Sequence, residues 1–124
     1  MDLREIPDVP FVRHPWEVAR TRFFLRGLEK WRLLERAQVV VDVGAGDGWF
    51  AAACAERAPH ARVIAWDPGY EQSPLHEPAP GVTYVQKRPR ERCDLLLLLD
   101  VLEHVQDDGD FLTDLVGQNL APRG

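Results

Sequence analysis

Cysteine and long apolar runs are both scarce in this sequence. The 124 residues include two cysteines, Cys54 and Cys93, and neither has a second ligand at metal-binding spacing. We therefore expect two buried thiols and no metal site. The leucine run at residues 95–99 is far shorter than the about 20 apolar residues that a membrane helix needs, so we expect no contact with a membrane.

Basic residues are fewer than acidic residues in this sequence. The sequence has 15 Lys and Arg residues against 20 Asp and Glu residues, a net charge of -5. Proteins that bind nucleic-acid backbones usually present a basic surface, so this balance argues against a nucleic-acid partner. Residues 1–10 contain acids and prolines but no apolar stretch, so they do not resemble a secretory signal and we expect a cytoplasmic location.

The sequence does contain a regular alternation of helix and strand patterns. Residues 1–38 are expected to form an N-terminal arm and an amphipathic helix that begins at Pro15, a residue suited to the first helical turn. Apolar residues recur at helical spacing up to Leu34 and are expected to form the inward face of this helix. They include Trp16, Phe23, Phe24, Leu28 and Trp31.

Residues 39–124 carry the pattern of an α/β domain. Apolar runs predict four strands at residues 39–43, 62–66, 82–85 and 94–99, and helical patterns predict helices at 49–57 and 107–120. Strands that alternate with helices form parallel sheets, so we expect a doubly wound, Rossmann-like α/β fold with a mostly parallel sheet.

A glycine-rich turn joins the first predicted strand to the next helix. Residues 42–48 read Asp-Val-Gly-Ala-Gly-Asp-Gly, a spacing of G-x-G-x-G and not the G-x-G-x-x-G of dinucleotide sites. Asp67 follows the next strand about 20 residues later, where a carboxylate can accept both hydroxyls of a ribose. Asp47 lies inside the turn, where it would oppose a pyrophosphate at the helix N-terminus. The turn therefore favours a cationic nucleoside over a dinucleotide.

Three segments in order resemble the motifs of class I S-adenosylmethionine-dependent methyltransferases. They read VVDVGAGDG at residues 40–48, AWDP at 65–68 and CDLLLLLDVLEHV at 93–105, and the third is similar to small-molecule and quinone methylases. The resemblance implies S-adenosylmethionine as the cofactor and the N-terminal, cofactor-binding part of such an enzyme. It also implies an incomplete fold, because four strands are predicted where the family has seven and the C-terminal strands are lacking.

The resemblance assigns a role to the motif residues. The backbone of the glycine turn would line the methionine portion, and Asp67 would clamp the ribose. Asp42 would hydrogen-bond the amino group directly or through water, or alternatively would only order the turn. Asp100 and Val101 would lie beside the methyl group that is transferred. The expected cofactor-binding residues are Asp42, Gly44, Ala45, Gly46, Asp47, Gly48, Asp67, Pro68, Asp100 and Val101.

The segment after the third predicted strand departs from the family pattern. Many members have an acid there that meets the adenine amino group, whereas this chain has Gln86, Lys87 and Arg88, which either contribute to the site or are solvated. Trp66 or Tyr70 is an alternative aromatic wall for the adenine, and each is equally compatible with a place in the core.

Asp100, Glu103 and His104 are spaced so that one helical turn would place them on the same side. In one interpretation His104 is the general base or orienting group for the acceptor, because imidazole titrates near neutral pH. In a second, the three residues belong to a divalent-metal site, although a complete site would need another histidine. In a third, Glu103 and His104 only brace the turn. We take His104 and Glu103 as candidate catalytic residues and predict no bound metal.

The sequence thus predicts a methyltransferase that acts on a small-molecule acceptor. One alternative is a non-catalytic S-adenosylmethionine-binding module, and another is a nicotinamide oxidoreductase, which the glycine spacing disfavours. The fourth predicted strand would have an unpaired apolar edge, so we expect association with another copy, or completion of the sheet, along that edge.

Overall fold

The computed structural model describes residues 14–72, 79–99 and 108–122. The helices are α1 Pro15–Lys30, α2 Leu33–Arg36, α3 Trp49–Arg57 and α4 Asp108–Asn119. The strands are β1 Val39–Val43, β2 Arg62–Trp66, β3 Val82–Val85 and β4 Leu95–Leu97, and a 3-10 helix covers Pro68–Glu71. Every element predicted from the sequence is present, and the largest differences lie in the first helix and the fourth strand.

The four strands form one parallel sheet in the order β3-β2-β1-β4. β1 is central, with Val41 opposite Ile64 of β2 on one side and opposite Leu96 of β4 on the other. A central parallel strand is covered on both faces, which is why β1 is an almost unbroken run of valines. The prediction of a doubly wound α/β fold with a parallel sheet is confirmed, and the carboxyl ends of the strands meet at one edge.

Each face of the sheet packs into its own apolar cluster. Val40 and Val63 belong to the cluster that includes residues of α1, α2 and α3, whereas Val41 and Ile64 belong to the cluster that includes Leu115 of α4. Both cysteines are buried, as predicted. Burial raises the pKa of the Cys54 thiol to about 12, so this cysteine is a neutral packing residue at physiological pH.

The first helix differs from its prediction in length and in orientation. α1 ends before Arg32, which adopts a left-handed conformation with a φ of 57° between α1 and α2. The buried residues of α1 are Leu25 and Leu28. The large exposed residues, each more than 60% accessible, are Trp16, Phe23 and Trp31. The expectation that these three aromatics face inward is therefore wrong, because Leu25 and Leu28 are the residues of α1 that join the buried apolar cluster.

The fourth strand and the last helix are shorter than predicted. β4 stops two residues before Leu99, and Asp94 precedes it as a loop residue whose carboxylate accepts hydrogen bonds from the backbone N–H groups of Gln38 and Val39. Leu115 of α4 is buried, whereas the apolar side chains of Leu112 and Val116 on the same helix are exposed. Among the described residues, no helix is both long and apolar enough to cross a membrane.

Candidate cofactor-binding site

The glycine turn leaves β1 at the carboxyl edge of the sheet and leads into α3. Gly44, Gly46 and Gly48 have φ angles of 75°, 59° and 82°, a region that residues with a side chain rarely adopt. Gly48 is also needed for space, because a Cβ at this position would lie 2.5 Å from the hydroxyl oxygen of Tyr84. The glycines at these positions are therefore required by the conformation of the turn itself.

The N–H groups of the turn are used inside the protein. Gly44 and Ala45 both donate to the carbonyl oxygen of Trp66, at 2.7 and 3.0 Å. Gly46 donates to Oδ2 of Asp67 at 3.0 Å. A phosphate-binding loop directs such groups at its ligand, whereas this turn directs them at the end of β2. The geometry therefore does not form a cradle for a pyrophosphate.

Asp67 lies directly after β2 and is fully buried. Its Oδ1 accepts from the N–H of Gly69 at 2.8 Å and caps the 3-10 helix that begins at Pro68, while its Oδ2 accepts from Gly46. Asp67 therefore joins the glycine turn to the start of the 3-10 helix, whereas Pro68 is exposed at the start of that helix.

Asp42 is the second buried acid at this edge, with 3% of its surface accessible. Burial, reinforced by the negative charge of Asp67, raises the pKa of Asp42 to about 7. Within the described ranges, no group donates a hydrogen bond to its carboxylate. A buried carboxylate without a donor is costly, and a ligand ammonium group would remove that cost.

Asp47 has a structural role in addition to the one expected of it. Its side chain is exposed, and its Oδ1 accepts from the N–H of Trp49 at 3.0 Å, so it caps the first turn of α3. Together with the carboxyl groups of Asp42 and Asp67, it gives this part of the sheet edge an acidic character. Such an edge is suited to a cationic ligand and not to an anionic one.

Two tyrosines contact the glycine turn, and the sequence did not reveal either contact. Tyr70 is buried, and its hydroxyl donates to the carbonyl oxygen of Gly46 at 2.7 Å. Tyr84 of β3 lies against Gly48. Tyr70 was considered from the sequence as an adenine wall or a core residue, and the structure places it in the core beneath the turn. No pattern in the sequence links a tyrosine three residues after Asp67 to a glycine carbonyl.

The segment after β3 does not form a cluster of binding groups. Gln86 and Lys87 are exposed, in agreement with the interpretation that they are solvated. Arg88 instead donates to Oδ1 of Asn119 at 3.2 Å from two of its nitrogens. Trp66 is partly buried and packs against the cluster on the α4 side of the sheet.

The remaining expected site residues lie outside the described residues. They are Asp100, Val101, Glu103 and His104. The described ranges contain no group of three His, Cys, Asp or Glu side chains that could hold a metal ion. His14 and His60 do not approach the glycine turn: His14 caps α1, and His60 lines a surface cavity with residues of α1, α2 and α3.

Solved methyltransferase structures share this fold. The N-methyltransferase NodS of Bradyrhizobium japonicum, determined with S-adenosyl-L-homocysteine, aligns with a TM-score of 0.60 and 19% identity over 88% of this chain and 59% of its own. The 1,6-didemethyltoxoflavin-N1-methyltransferase of Burkholderia thailandensis was determined with bound 1,6-didemethyltoxoflavin and S-adenosylhomocysteine. It aligns with a TM-score of 0.52 and 22% identity over 94% of this chain and 63% of its own. Human N-acetylserotonin methyltransferase, determined with SAM, aligns with a TM-score of 0.57 and 20% identity over 87% of this chain and 36% of its own.

The chain spans less than two thirds of the length of each of these proteins. Comparison with curated protein sequences gives no match. The family model of FtsJ-like methyltransferases matches residues 24–116, which is well over half of the chain. The resemblance to S-adenosylmethionine-dependent methyltransferases that the three sequence motifs indicated is confirmed. The chain belongs to the FtsJ-like methyltransferase family.

Proposed function

We propose that this chain is the S-adenosylmethionine-binding part of a methyltransferase that acts on a small-molecule acceptor. The observation that carries the proposal is the acidic sheet edge around the glycine turn. There the buried Asp42 carboxylate has no hydrogen-bond donor among the described residues. The N–H groups of residues 44–46 donate to acceptors within the protein. S-adenosylmethionine fits this arrangement because it carries an ammonium group, a sulfonium centre and a ribose.

The same features disfavour a dinucleotide. A pyrophosphate needs N–H donors and a positive potential, whereas Gly44, Ala45 and Gly46 donate to Trp66 and Asp67. Asp42, Asp47 and Asp67 would also repel its charge. S-adenosylmethionine would instead be attracted to these acids, because its ammonium group would contact Asp42 and its ribose hydroxyls would donate to Asp67. The bound S-adenosylhomocysteine in two of the solved neighbours supports this choice of cofactor.

Methyl transfer asks little acid–base chemistry of the protein. The acceptor's lone pair attacks the methyl carbon, the carbon–sulfur bond breaks, and the sulfur keeps the bonding pair to give S-adenosylhomocysteine. Holding acceptor and methyl group in line can remove about 7 to 11 kcal/mol from the barrier. We assign that positioning to Asp100 and Val101, and removal of any acceptor proton to His104 assisted by Glu103. A small-molecule acceptor is supported by a neighbour determined with 1,6-didemethyltoxoflavin.

Calorimetry with two ligands tests the cofactor assignment. We expect S-adenosylhomocysteine to bind the chain and NAD to give no heat at the same concentrations. Equal binding of the two ligands, or binding of NAD alone, would overturn the assignment. Transfer of labelled methyl groups from S-adenosylmethionine to a panel of small phenols, amines and thiols, with bulk RNA as a comparison, then tests the acceptor class. Labelling of RNA alone would contradict the small-molecule proposal.

A further inference from the structure

Both backbone polar groups of Gly46 are bound to the segment that follows β2. Its N–H donates to Oδ2 of Asp67 at 3.0 Å, and its carbonyl oxygen accepts from the hydroxyl of Tyr70 at 2.7 Å. Asp67 and Tyr70 belong to the same short turn, because the N–H of Tyr70 also donates to the carbonyl of Asp67 at 3.0 Å. The centre of the glycine turn and the segment after β2 therefore form one hydrogen-bonded unit.

This unit is closed to solvent on the tyrosine side. Tyr70 is 1% accessible, and its ring meets the ring of Tyr84 edge to face with 6.0 Å between centroids. Tyr84 in turn lies against Gly48 at the start of α3. A buried carbonyl that loses its donor is left unsatisfied, so removal of the Tyr70 hydroxyl would release the turn at Gly46.

We propose that Tyr70 is a positioning residue that sets the distance between the amino-acid and nucleoside parts of the cofactor site. The proposal rests on the proposed function, since it assumes that the glycine turn meets the methionine portion of the ligand and Asp67 meets its ribose. A ligand that spans both segments then depends on how the two are fixed to each other. A nucleoside that contacts only the Asp67 side does not.

The substitution Tyr70→Phe removes the hydroxyl and keeps the ring. Titration calorimetry with S-adenosylhomocysteine and with adenosine separates a positioning role from general damage. We expect Tyr70→Phe to weaken S-adenosylhomocysteine about tenfold, the usual effect of one buried hydrogen bond, and to change adenosine affinity less than about twofold. Thr113→Val is the control, because it removes a hydroxyl that donates to the carbonyl of Gly109 within α4 and does not contact the glycine turn, and it should leave the ratio of the two affinities unchanged.

Amide hydrogen exchange in the ligand-free protein gives a second readout that needs no cofactor. We expect the Gly46 amide to exchange about tenfold faster in Tyr70→Phe, while the amide of Ile64 in β2 keeps its rate. Equal weakening of both ligands, unchanged affinity, or equal acceleration at Gly46 and Ile64 would overturn the proposal. If the unsubstituted chain binds no S-adenosylhomocysteine, the proposed function fails, and exchange at Gly46 still decides whether Tyr70 fixes the turn.

Discussion

Asp42 makes opposite contributions to stability and to ligand binding. Its pKa in the folded protein is about 7, against an ordinary value of 3.8. The unfolded chain therefore releases this proton at lower pH than the folded chain does. Stability from this residue is present in full below about pH 4, decreases as the pH rises towards 7, and stays at the lower level above that. Over that interval the loss is on the order of 4 kcal/mol.

We predict that Asp42→Asn raises the melting temperature at pH 8 and leaves it nearly unchanged at pH 4. The amide cannot ionise, so the cost of burying a charge at pH 8 disappears. Thermal denaturation at the two pH values measures this. Asp114→Asn, an exposed acid of α4, is the control and should shift neither value. A lower melting temperature for Asp42→Asn at pH 8 would contradict the assigned burial cost.

The same residue predicts how cofactor binding depends on pH. An ammonium group beside Asp42 favours the ionised carboxylate, so the affinity for S-adenosylhomocysteine should rise about tenfold between pH 6 and pH 8. Asp42→Asn should bind more weakly at pH 8 and lose this dependence. Calorimetry at a series of pH values checks both points, and an unsubstituted protein with a flat profile would show that Asp42 does not meet the ligand's cation.

Gly48 allows a substitution test of the turn. Gly48→Ala would force a side chain into a left-handed conformation and against the ring of Tyr84, so we expect a loss of about 2 to 4 kcal/mol in the free energy of unfolding. Gly27→Ala is the matched control, because this helical glycine has open space around it, and it should stabilise the protein by up to about 1 kcal/mol. Urea denaturation compares the two, and similar losses would contradict the steric argument.

At the level of secondary structure, the central strands could be predicted from the sequence and the first helix only in part. β1 and β2 are largely apolar runs that end directly before Gly44 and Asp67, and their predicted bounds match the observed ones. Helical spacing alone does not distinguish which of two apolar stripes on α1 packs inward. Leu28 belonged to the predicted inward set and Leu25 did not, yet both are buried. The position of Arg32 in the left-handed region has no signal in residue type.

The candidate site could also be predicted only in part. The glycine spacing and Asp67 could be located from the sequence, since strand and turn patterns are local. The hydrogen bond from Tyr70 to Gly46 and the contact of Tyr84 with Gly48 depend on how β2, β3 and α3 pack together. Such contacts join residues more than 20 positions apart, and one sequence contains no record of them.

Asn119 links the end of α4 to the connection between β3 and β4. It is 1% accessible, and its Nδ2 donates to the carbonyls of Pro89 at 2.6 Å and Glu91 at 3.2 Å. Its Oδ1 accepts from the guanidinium of Arg88. The side-chain amide of Asn119 thus joins the connection to α4, alongside the hydrogen bond from Arg92 to the carbonyl of Leu120 and the ion pair of Arg62 with Glu91.

We predict that Asn119→Ala lowers the free energy of unfolding by roughly 1 to 3 kcal/mol, because two carbonyls and a guanidinium lose their partner. The exposed neighbour Gln118 provides the control, and Gln118→Ala should change stability by less than about 0.5 kcal/mol. Chemical denaturation monitored by circular dichroism measures both. If the two substitutions have equal effects, the Asn119 hydrogen bonds contribute nothing net.

At the scale of the whole molecule, association depends on the outer edge of β4 and on the exposed side chains of α4. In the described ranges the residues of β4 pair with β1, and Cys93 just before β4 forms an isolated parallel bridge with Leu120. Leu115 of α4 is buried, while Leu112 and Val116 beside it on the same helix are 37% and 44% accessible. Exposed aliphatic side chains promote association, and so does a strand edge that has one bridge, Cys93 with Leu120, among the described residues.

We predict that the 124-residue chain associates in a concentration-dependent manner through this surface. Substituting Leu112 and Val116 together with glutamine should reduce association in sedimentation velocity without lowering the melting temperature, because neither side chain is buried in the single chain. The competing surface is the exposed aromatic face of α1, which makes Phe23→Gln the matched test. Phe23 is 71% accessible, so its removal also costs the fold little. If Phe23→Gln abolishes association and the Leu112 and Val116 double variant still associates, the contact is formed by α1 and not by α4. A chain that stays monomeric at all concentrations would contradict the prediction.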